Sequence, residues 1–510
     1  MPRAAEPEPG SAQDWQAPAA TGPVRARLRP PGSKSVTNRA LVLAALAGSP
    51  TVITNPLRAR DTQLMAGALR ALGARIDGGG GNGAGTDGDG SRTDGGGAGG
   101  SRTGGGGAGG SRTDGGGAGR GSRTDGGADD GGSTGGETGG GGDVPAWRVT
   151  PGQPAGAATV DVGNAGTVLR FVPPVATLTR ADVEFRGDGR AAARPVGPLL
   201  AALRELGAII DDGGRGAVPF LVRGRGGISG GTVRLDASGS SQLVSGLLLS
   251  APRYGKGAEI RHEGARVPSA PHIAMTVQML RDAGAEVETG NRGRGSGARN
   301  SVPDFWRVHP GELRPVSVAV EPDLSNAVPF LAAALVTGGQ VTIEGWPERT
   351  TQPAAQILDV LTRMGAACTP AGGGMQVTGT GTIRGLTADL GDISESAPVL
   401  TALAALADSP STFTGIGHMR THESDRLAAL AGEIGGLGGD VAERADGLEI
   451  RPRPLHGEGT FASHDDHRLV MAAAVLGLAL PGGLRIGDAA TVGKTFPGFT
   501  AMWSAMLEQS

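Results

Sequence analysis

Lysine is rare in this sequence, so the positions that keep it are informative. Of 47 basic residues only three are lysine, namely Lys34, Lys256 and Lys494. An ammonium is a compact charge that can lose its proton, whereas a guanidinium almost never does. Arg39 lies close to Lys34 in the sequence, and Arg468 precedes Lys494 in the last part of the chain. Such a set of cations predicts a ligand with several negative charges.

Six short polar clusters each precede an Ala- and Leu-rich run that predicts a helix. The unpaired N–H groups and the dipole of a helix N-terminus favour anions. Capping alone explains each cluster taken singly, because Ser, Thr, Asp and Asn are common N-caps. Capping does not require the nearby cations, and these favour anionic ligands. The clusters are anchored on Lys34, Asn164, Ser240, Asp323, Glu395 and Asp466.

Several other chemistries are disfavoured. The segment PGSKS at Lys34 lacks the spacing of a nucleotide-binding phosphate loop, which argues against an ATPase. The histidines at 418, 422, 464 and 467 lack the order and spacing of metal ligands, so we expect solvated or hydrogen-bonding side chains. The single cysteine, Cys368, excludes an internal disulfide and is expected to be a buried, inert thiol in a strand.

The six clusters belong to an internal repeat of helix, strand, helix and strand. A second helix-to-strand joint lies between them, and in each copy a glycine occupies the expected C-cap position. Six such units account for the length of the chain once a glycine-rich insert is left out. The joints are LRALGARI from Leu69, LRELGAII from Leu203, LRDAGAEV from Leu280, LTRMGAAC from Leu361 and IGGLGGDV from Ile434.

The insert spans residues 78–142 and interrupts the first repeat between Asp77 and Trp147. It has 34 glycines in 65 residues, with alanine as its only apolar residue type. Such a segment cannot bury enough apolar surface to offset its ordering entropy, so we expect a disordered hairpin extension. The Pro-, Glu- and Ala-rich residues 1–20 are likewise expected to form a disordered tail.

Charge and hydropathy limit the partners and the location. The net charge of −3 provides no field that would attract nucleic acid or an anionic membrane. The N-terminus lacks a signal-peptide core, and no stretch reaches the roughly 18 apolar residues of a membrane helix. We therefore expect a cytoplasmic protein that binds neither nucleic acid nor membrane.

Seven ordered motifs resemble those of the 5-enolpyruvylshikimate-3-phosphate synthases. They cover the chain from Val24 to its C-terminus and omit only the insert. The resemblance implies an α/β fold, a two-domain inside-out α/β barrel of the enolpyruvyl transferase type, with six βαβαββ repeats, three per domain. It implies a first domain of residues 21–32 plus 321–510 and a second domain of residues 33–320. The motifs are PGSKSVTNRALVLAAL, GNAGTVLR, ARPVGPLL, SSQ, HESDRLAAL, HDDHRLVMA and GKTFPGF.

The same resemblance implies the reaction. Members of the family transfer the enolpyruvyl group of phosphoenolpyruvate to the 5-hydroxyl of shikimate 3-phosphate and release phosphate. This step belongs to the shikimate pathway, which leads to chorismate and the aromatic amino acids, and its enzyme is the target of glyphosate. The resemblance implies no metal and no organic cofactor, and a monomer is expected.

Carried over motif by motif, the resemblance also implies site residues. Glu395 would be the base toward the 5-hydroxyl, and Glu423 would protonate the methylene carbon with Lys34 assisting. The expected ligands of shikimate 3-phosphate are Lys34, Ser35, Arg39, Ser240, Ser241, Gln242, Ser269, Glu395 and His422. The expected ligands of phosphoenolpyruvate are Lys34, Gly166, Arg194, Gln242, Arg426, Arg468 and Lys494.

Three positions depart from the commoner pattern of the family. Glu395 replaces aspartate, His418 replaces asparagine and His422 replaces lysine, a combination similar to that of actinobacterial members. The change at His422 predicts that one phosphosugar contact depends on pH in the range where histidine titrates.

Two alternative functions remain open. One is the sister transferase that acts on UDP-N-acetylglucosamine, which typically carries a reactive loop cysteine, whereas Cys368 is predicted in a strand. The other is a non-catalytic phosphosugar-binding paralogue, although every acid, base and cation position is filled.

Overall fold

The structure is a computed structural model, and it describes residues 14–78, 145–194, 196–291 and 303–509. The predicted disorder of residues 1–13 and of nearly all of the insert lies outside the described residues. The strands are β1 (Trp15–Ala17), β2 (Arg25–Leu28), β3 (Thr51–Thr54), β4 (Arg75–Asp77), β5 (Ala146–Thr150), β6 (Ala158–Asp161), β7 (Asp182–Arg186), β8 (Ile209–Asp211), β9 (Phe220–Arg223), β10 (Gly231–Leu235), β11 (Ala258–His262), β12 (Val287–Gly290), β13 (Phe305–Val308), β14 (Val318–Ala319), β15 (Gln340–Glu344), β16 (Ala367–Ala371), β17 (Gly374–Thr378), β18 (Thr387–Asp389), β19 (Ser411–Thr414), β20 (Asp440–Arg444), β21 (Gly447–Arg451), β22 (Thr460–Ala462) and β23 (Leu484–Gly487).

Among the described residues, six helices begin at the polar clusters and five other helices end just before the glycine joints, as the repeat predicts. They are α1 (Lys34–Leu46), α2 (Arg60–Ala71), α3 (Gly166–Ala176), α4 (Gly189–Ala193), α5 (Gly197–Glu205), α6 (Ser241–Ser250), α7 (Ala270–Asp282), α8 (Leu324–Thr337), α9 (Ala354–Arg363), α10 (Ala397–Ala405), α11 (Arg426–Gly436), α12 (His467–Gly477) and α13 (Phe499–Glu508). Short 3₁₀ helices cover Ala251–Arg253, Ser394–Ser396, Gly417–Thr421 and Ala489–Lys494.

The glycine joints adopt the backbone conformation that C-capping demands. The glycine of each joint has a positive φ, between +86° and +110°, which residues with a Cβ rarely adopt. These glycines are Gly73, Gly207, Gly284, Gly365 and Gly438.

Six sheets surround buried helices. In the described residues five sheets have four strands, in the orders β14-β3-β5-β4, β6-β7-β9-β8, β10-β11-β13-β12, β16-β17-β15-β2 and β18-β19-β21-β20. In the second of these sheets, for example, β6 and β7 are parallel while β9 pairs antiparallel with both β7 and β8. Helices α3 and α12 are buried along their entire length, which is typical of helices that are apolar all round. The mixed α/β architecture with interior helices matches the predicted fold class.

Two hydrophobic cores divide the chain. One core contains residues from Val36 to Val320, and we call residues 33–320 the N half. The other contains residues from Ala17 to Leu28 and from Leu324 to Met506, and we call residues 14–32 with 321–509 the C half. The exact domain boundaries that the resemblance implies stay predictions.

The chain passes between the halves at two adjacent points. Strand β2 pairs in parallel with β15 of the C half, whereas β14 pairs in parallel with β3 of the N half. Between these strands the backbone N–H of Ser33 donates to Glu321 O, and that of Asp323 donates to Pro31 O. The start of α1, which carries Lys34, is thereby fixed beside the start of α8.

The prediction that residues 1–20 form a disordered tail is wrong for the described part of that segment. Residues Trp15–Ala17 form β1, which pairs antiparallel with β23, the last strand of the chain. The sixth repeat contributes only β22 and β23 to its sheet, and β1 provides the third strand. Trp15 packs edge-on against Phe499, and Asp14 forms an ion pair with Arg485. An open strand edge and an apolar surface therefore order this segment.

The insert joins neighbouring antiparallel strands, as the hairpin prediction requires. Strand β4 ends at Asp77, which pairs with Arg148 of β5. In the described part of the chain no helix combines the length and the apolar character needed to cross a membrane.

Candidate active site

Two adjoining cavities lie between the halves. Cavity A has a volume of about 210 Å³ and cavity B about 60 Å³. Residues from both halves line each cavity. Among the predicted site residues, five line both cavities: Lys34, Ser240, Gln242, Glu395 and His422.

The other predicted residues divide between the cavities. Cavity A is also lined by Gly166, Arg194, Glu423 and Arg426. Cavity B is also lined by Ser35, Arg39, Ser241, Ser269 and Arg468. Lys494 reaches cavity A through Glu423, because its Nζ lies 3.2 Å from Glu423 Oε1. The structure thus brings all the sequence-predicted site residues together.

Helix N-termini position most of these side chains. The Ser33 side chain caps α1, the Ser240 side chain caps α6 and the Asp466 side chain caps α12. Ser269 precedes α7 with a φ of +51°, and its N–H donates to Gly391 O of the C half at 2.8 Å. The Asp323 side chain caps α8 in the same way. The capping interpretation is therefore correct for four clusters, and the same helix ends also line the cavities.

Arg39 is a buried cation held by neutral groups. Its Nε donates to Thr276 Oγ1 at 2.7 Å, and its guanidinium stacks over Phe171 with a centroid distance of 5.2 Å. Further bonds go to Ser245 Oγ and to the carbonyls of Ser35 and His272. Burial lowers the pKa of Arg39 to about 9. One of its five N–H groups remains for a ligand in cavity B.

Gly166 leaves room for two arginines in cavity A. A Cβ at this position would lie 2.5 Å from Arg194 Nη2 and 3.1 Å from Arg170 Nη1. Arg194 caps the end of α4 and donates from Nη1 to Asn164 O at 2.9 Å. Burial and the charge of Arg194 lower the pKa of Arg170 to about 9. The glycine therefore allows two guanidinium groups to converge at the N-terminus of α3.

The cations of the C half are held by carboxylates. Arg426 Nε lies 2.7 Å from Asp466 Oδ2, and its Nη1 lies 3.3 Å from Glu395 Oε2. Arg468 Nε lies 3.2 Å from the same Glu395 oxygen. Burial would lower the pKa of Arg426, but Asp466, Glu395 and Glu423 outweigh burial and raise it. Burial would likewise raise the pKa of Glu395, yet Arg426 and Arg468 hold it well below its ordinary value.

Glu423 lies between a lysine and a histidine. Its Oε2 is 2.8 Å from His467 Nδ1, and its Oε1 is 3.2 Å from Lys494 Nζ. Burial favours the neutral acid, but His467 and Lys494 outweigh burial and hold the pKa of Glu423 well below its ordinary value. Glu423 is therefore a carboxylate in the unliganded protein.

Lys34 remains charged despite its burial. Its Nζ lies 3.3 Å from Asp61 Oδ2, and its backbone N–H donates to Asp323 Oδ2. Burial lowers the pKa of Lys34, while Asp61, Glu423 and Glu395 together raise it above its ordinary value. Lys34 thus offers a fixed positive charge on the border of the two cavities.

Comparison with known proteins identifies the family. The family model of the EPSP synthases (3-phosphoshikimate 1-carboxyvinyltransferases) matches residues 18–90 and 145–503. The chain belongs to this family. Two solved EPSP synthase structures from Acinetobacter baumannii are 22% identical to it, with TM-scores of 0.68 and 0.67. Each alignment covers 97% of this chain and 98% of the other. These structures show that the EPSP synthase fold extends over the two halves.

In this EPSP synthase family member, the surroundings of His422 correct the expectation that its contact depends on pH in the usual range of histidine titration. Arg426 Nη1 lies 3.2 Å from His422 Nδ1, so that nitrogen accepts the bond and the ring is neutral. Burial and the charge of Arg426 hold the pKa of His422 well below its ordinary value. In the unliganded protein the pH dependence predicted at this position therefore moves to more acidic pH.

The four histidines considered as metal ligands are hydrogen-bonded, as the sequence predicted. His418 contacts Ser394 Oγ, and His464 contacts Glu433. Glu423, Asp466 and His467 place three possible ligand atoms within 4.8 Å of one another. A metal ion there would lie against Arg426 and Lys494, so these groups are better suited to the ion pairs that they form.

Cys368 lies in strand β16, as predicted, but it is half-buried rather than fully buried. Burial raises the pKa of its thiol, which opposes formation of the thiolate. This placement differs from the reactive loop cysteine expected of the sister transferase.

Sequence reasoning missed several residues of the site. Asp61 and Arg170 line cavity A, and His272 lines cavity B. Helical spacing could have identified two of them, because Arg170 lies one turn after Gly166 and His272 nearly one turn after Ser269. No comparable sequence pattern identifies Asp61, because it contacts Lys34 from a different helix.

The largest cavity described, about 1520 Å³, lies elsewhere, between α7 and the loop of residues 346–353. Its lining mixes Arg281 and Arg349 with Glu348 and Asp392 among apolar side chains. Without converging cations it does not fit two multiply charged substrates.

Proposed function

We propose that cavity B binds shikimate 3-phosphate and cavity A binds phosphoenolpyruvate, and that transfer takes place where the two cavities meet. The supporting observation is the division of the predicted residues. Apart from Arg468, the predicted site residues that line only cavity B are expected phosphosugar ligands, whereas Gly166, Arg194 and Arg426, which are expected ligands of phosphoenolpyruvate, line only cavity A. Glu395 lines both cavities, which is the position that a base between the substrates requires.

Glu395 accepts the proton of the 5-hydroxyl in this proposal. Its low pKa keeps it ionised at neutral pH, so the base form is ready before the substrate arrives. Arg426 and Arg468, which lower that pKa, also bind the anionic groups of phosphoenolpyruvate. When these arginines bind the substrate anions, they stabilise the Glu395 carboxylate less. The pKa of Glu395 therefore rises once the substrate is bound.

Glu423 donates the proton to the methylene carbon. In the unliganded protein its pKa is too low for this task, because His467 and Lys494 stabilise the carboxylate. Phosphoenolpyruvate brings several negative charges next to Lys494, and nearby negative charge raises the pKa of a carboxyl group. Binding of the second substrate thus lets Glu423 take up a proton from solvent and act as an acid, and Lys34 stabilises the charge that develops. The 5-hydroxyl oxygen bonds to the central carbon of phosphoenolpyruvate as the methylene group becomes a methyl group. The carbon–oxygen bond to phosphate then breaks, and a proton returns from the methyl group to Glu423, which restores the double bond and releases phosphate.

The halves must separate before the phosphosugar binds. Cavity B, at about 60 Å³, has room for only a few water molecules, which is less than a phosphorylated six-membered ring needs. Shikimate 3-phosphate therefore enters an open form, and closure around it completes cavity A. Phosphoenolpyruvate binds strongly only afterwards, and equal affinity with and without the first ligand would contradict this order.

Phosphate release from phosphoenolpyruvate tests the assignment. Release that depends on shikimate 3-phosphate and is lost in Glu395→Gln supports the proposal. Release that depends on UDP-N-acetylglucosamine instead would identify the sister activity. Binding of both substrates by the wild-type protein without release would identify a non-catalytic paralogue.

One chain supplies every residue in this scheme, so we propose a monomer, and the single cysteine supports a cytoplasmic location. Analytical ultracentrifugation at enzyme-assay concentration should give a single species of about 51 kDa, in line with the chain mass of 50.7 kDa.

A further inference from the structure

Arg190 connects the two halves at the edge of cavity A. It belongs to α4 of the N half, and its Nη1 donates to the backbone carbonyl of Glu423 in the C half at 2.7 Å. Its Nη2 lies 2.9 Å from Asp465 Oδ2, in the loop just before α12. That loop is conformationally unusual, since His464 and Asp465 have φ values of +52° and +54°. One side chain thus joins the segment that carries Glu423 to the loop that precedes Asp466, His467 and Arg468.

The contact of Arg190 with Glu423 completes a closed series of contacts that crosses between the halves twice. Glu423 Oε1 lies 3.2 Å from Lys494 Nζ, and Lys494 donates to Asn164 O of the N half at 3.3 Å. The same carbonyl accepts a bond from Arg194 at 2.9 Å. Arg194 caps α4, the short helix that begins at Gly189 and carries Arg190. Arg190 and Arg194 are therefore about one helical turn apart on the same short helix.

We propose that Arg190 is a positioning residue that holds Glu423 in its reactive place when phosphoenolpyruvate engages Arg194. The inference rests on the proposed roles of Glu423 and Arg194. Phosphoenolpyruvate bound by Arg194 fixes α4 against the closed cleft. Arg190 then holds the Glu423 carbonyl from the opposite half, which limits the positions available to the carboxyl group. Shikimate 3-phosphate can bind to the open form without this contact.

The test compares Arg190→Ala with Arg186→Ala. Arg186 is a matched control because it lies on β7 of the same half, is exposed, and pairs with Glu184 of its own strand. We expect Arg190→Ala to lower kcat about tenfold, the effect of one charge-assisted hydrogen bond made in the transition state. The Kd of shikimate 3-phosphate in the binary complex should change less than twofold, and the midpoint of thermal unfolding should match that of Arg186→Ala.

A second variant isolates the ion pair. Asp465→Asn preserves the left-handed backbone, which asparagine tolerates, and should lower kcat only two- to threefold because the bond to the Glu423 carbonyl remains. In the Arg190→Ala background the same substitution should have no further effect. Independent, multiplicative losses would overturn the proposal.

Glu423→Gln separates this proposal from the proposed function. A kcat that survives in Glu423→Gln overturns the proton-donor role itself. If Glu423→Gln has a lower kcat but Arg190→Ala has the same kcat as Arg186→Ala, only the positioning role is overturned. If Arg190→Ala has both a lower kcat and a lower midpoint of thermal unfolding than Arg186→Ala, the positioning role is also overturned, because lost stability would then explain the lost activity.

Discussion

The two halves hold the buried arginines of the site in opposite ways. In the N half, Arg39 is surrounded by hydroxyls and carbonyls, and burial lowers its pKa to about 9. In the C half, Arg426 is bound by Asp466 and Glu395, which raise its pKa despite burial. A buried cation held only by neutral groups gains most from an incoming anion. A cation held by carboxylates instead tunes those carboxylates. The difference indicates that the arginines of the N half mainly bind substrate charge, whereas those of the C half also set the pKa of the carboxylates that move protons.

The largest effect should come from Glu395 of the C half. Glu395→Gln removes the base while keeping the shape, and we expect kcat to fall on the order of 10²- to 10⁴-fold. Steady-state phosphate release at saturating substrates measures this loss. Glu344→Gln, which alters an exposed ion pair with Arg27, is the control and should keep full activity. A loss seen only in KM would remove Glu395 from proton transfer.

A smaller effect, on binding, is expected from Arg194 of the N half. Arg194→Ala should raise the KM for phosphoenolpyruvate roughly 10- to 100-fold, because a charge-assisted contact to the substrate is lost. Arg223→Ala, whose ion pair with Asp182 is exposed and remains within one sheet, should change nothing. An unchanged KM in Arg194→Ala would contradict the assignment of cavity A.

Gly166→Ala should sharpen the same comparison within the N half. The new methyl group meets the flexible ends of Arg194 and Arg170, so these side chains shift and the fold survives. We expect about a tenfold rise in the KM for phosphoenolpyruvate, because each displaced guanidinium weakens one contact. Gly67→Ala in α2, where a Cβ meets nothing within 4 Å, is the control. Calorimetry of the binary complex should show shikimate 3-phosphate bound with unchanged affinity.

The smallest effect concerns stability and pH. Burial is the main cause that lowers the pKa of His418, His422 and His467 in the C half, and it lowers that of His272 in the N half to about 4. Unfolded histidines titrate near 6.5, so below that pH the unfolded state binds more protons and the free energy of unfolding falls. Urea unfolding should therefore show stability falling as pH drops from 7 to 4.5.

A matched variant checks the histidine contribution. His272→Asn should flatten the pH dependence between pH 6.5 and about 4, the window set by the unfolded and folded pKa values of His272. The exposed His309, paired with Glu288, lies outside the cavities and serves as the control. A curve of unchanged slope in His272→Asn would contradict burial as the cause.

Local sequence patterns were sufficient for much of this architecture. The polar clusters predicted the helix starts, and the glycine joints predicted the helix ends, because both depend on backbone groups within one turn. The resemblance then identified residues from distant repeats that the fold brings to the same two cavities. Glu395 and Arg468, for example, belong to different repeats and lie 3.2 Å apart.

Contacts between distant segments could not be predicted in this way. Strand β1 forms because β23 presents an open edge at the other end of the chain. Arg190 is one of many arginines in the sequence, and only the closed cleft shows that it reaches Glu423. The protonation states of Glu423 and His422 depend on burial and on charges from several helices. No local sequence pattern predicts these contacts or protonation states.

The different roles of Arg194 in substrate binding and of Glu395 in proton transfer are tested most directly by one titration. Phosphate release is measured for Arg194→Ala and Glu395→Gln as phosphoenolpyruvate is raised to saturation, with shikimate 3-phosphate saturating throughout. We predict that Arg194→Ala recovers to within about tenfold of the wild-type kcat, because its main loss is binding energy and any remaining loss is that expected of the Arg190 contact, whereas Glu395→Gln stays on the order of 10²-fold or more lower at every concentration. Recovery of Glu395→Gln, or failure of Arg194→Ala to recover, would contradict the assignment of substrate binding to Arg194 and of proton transfer to Glu395.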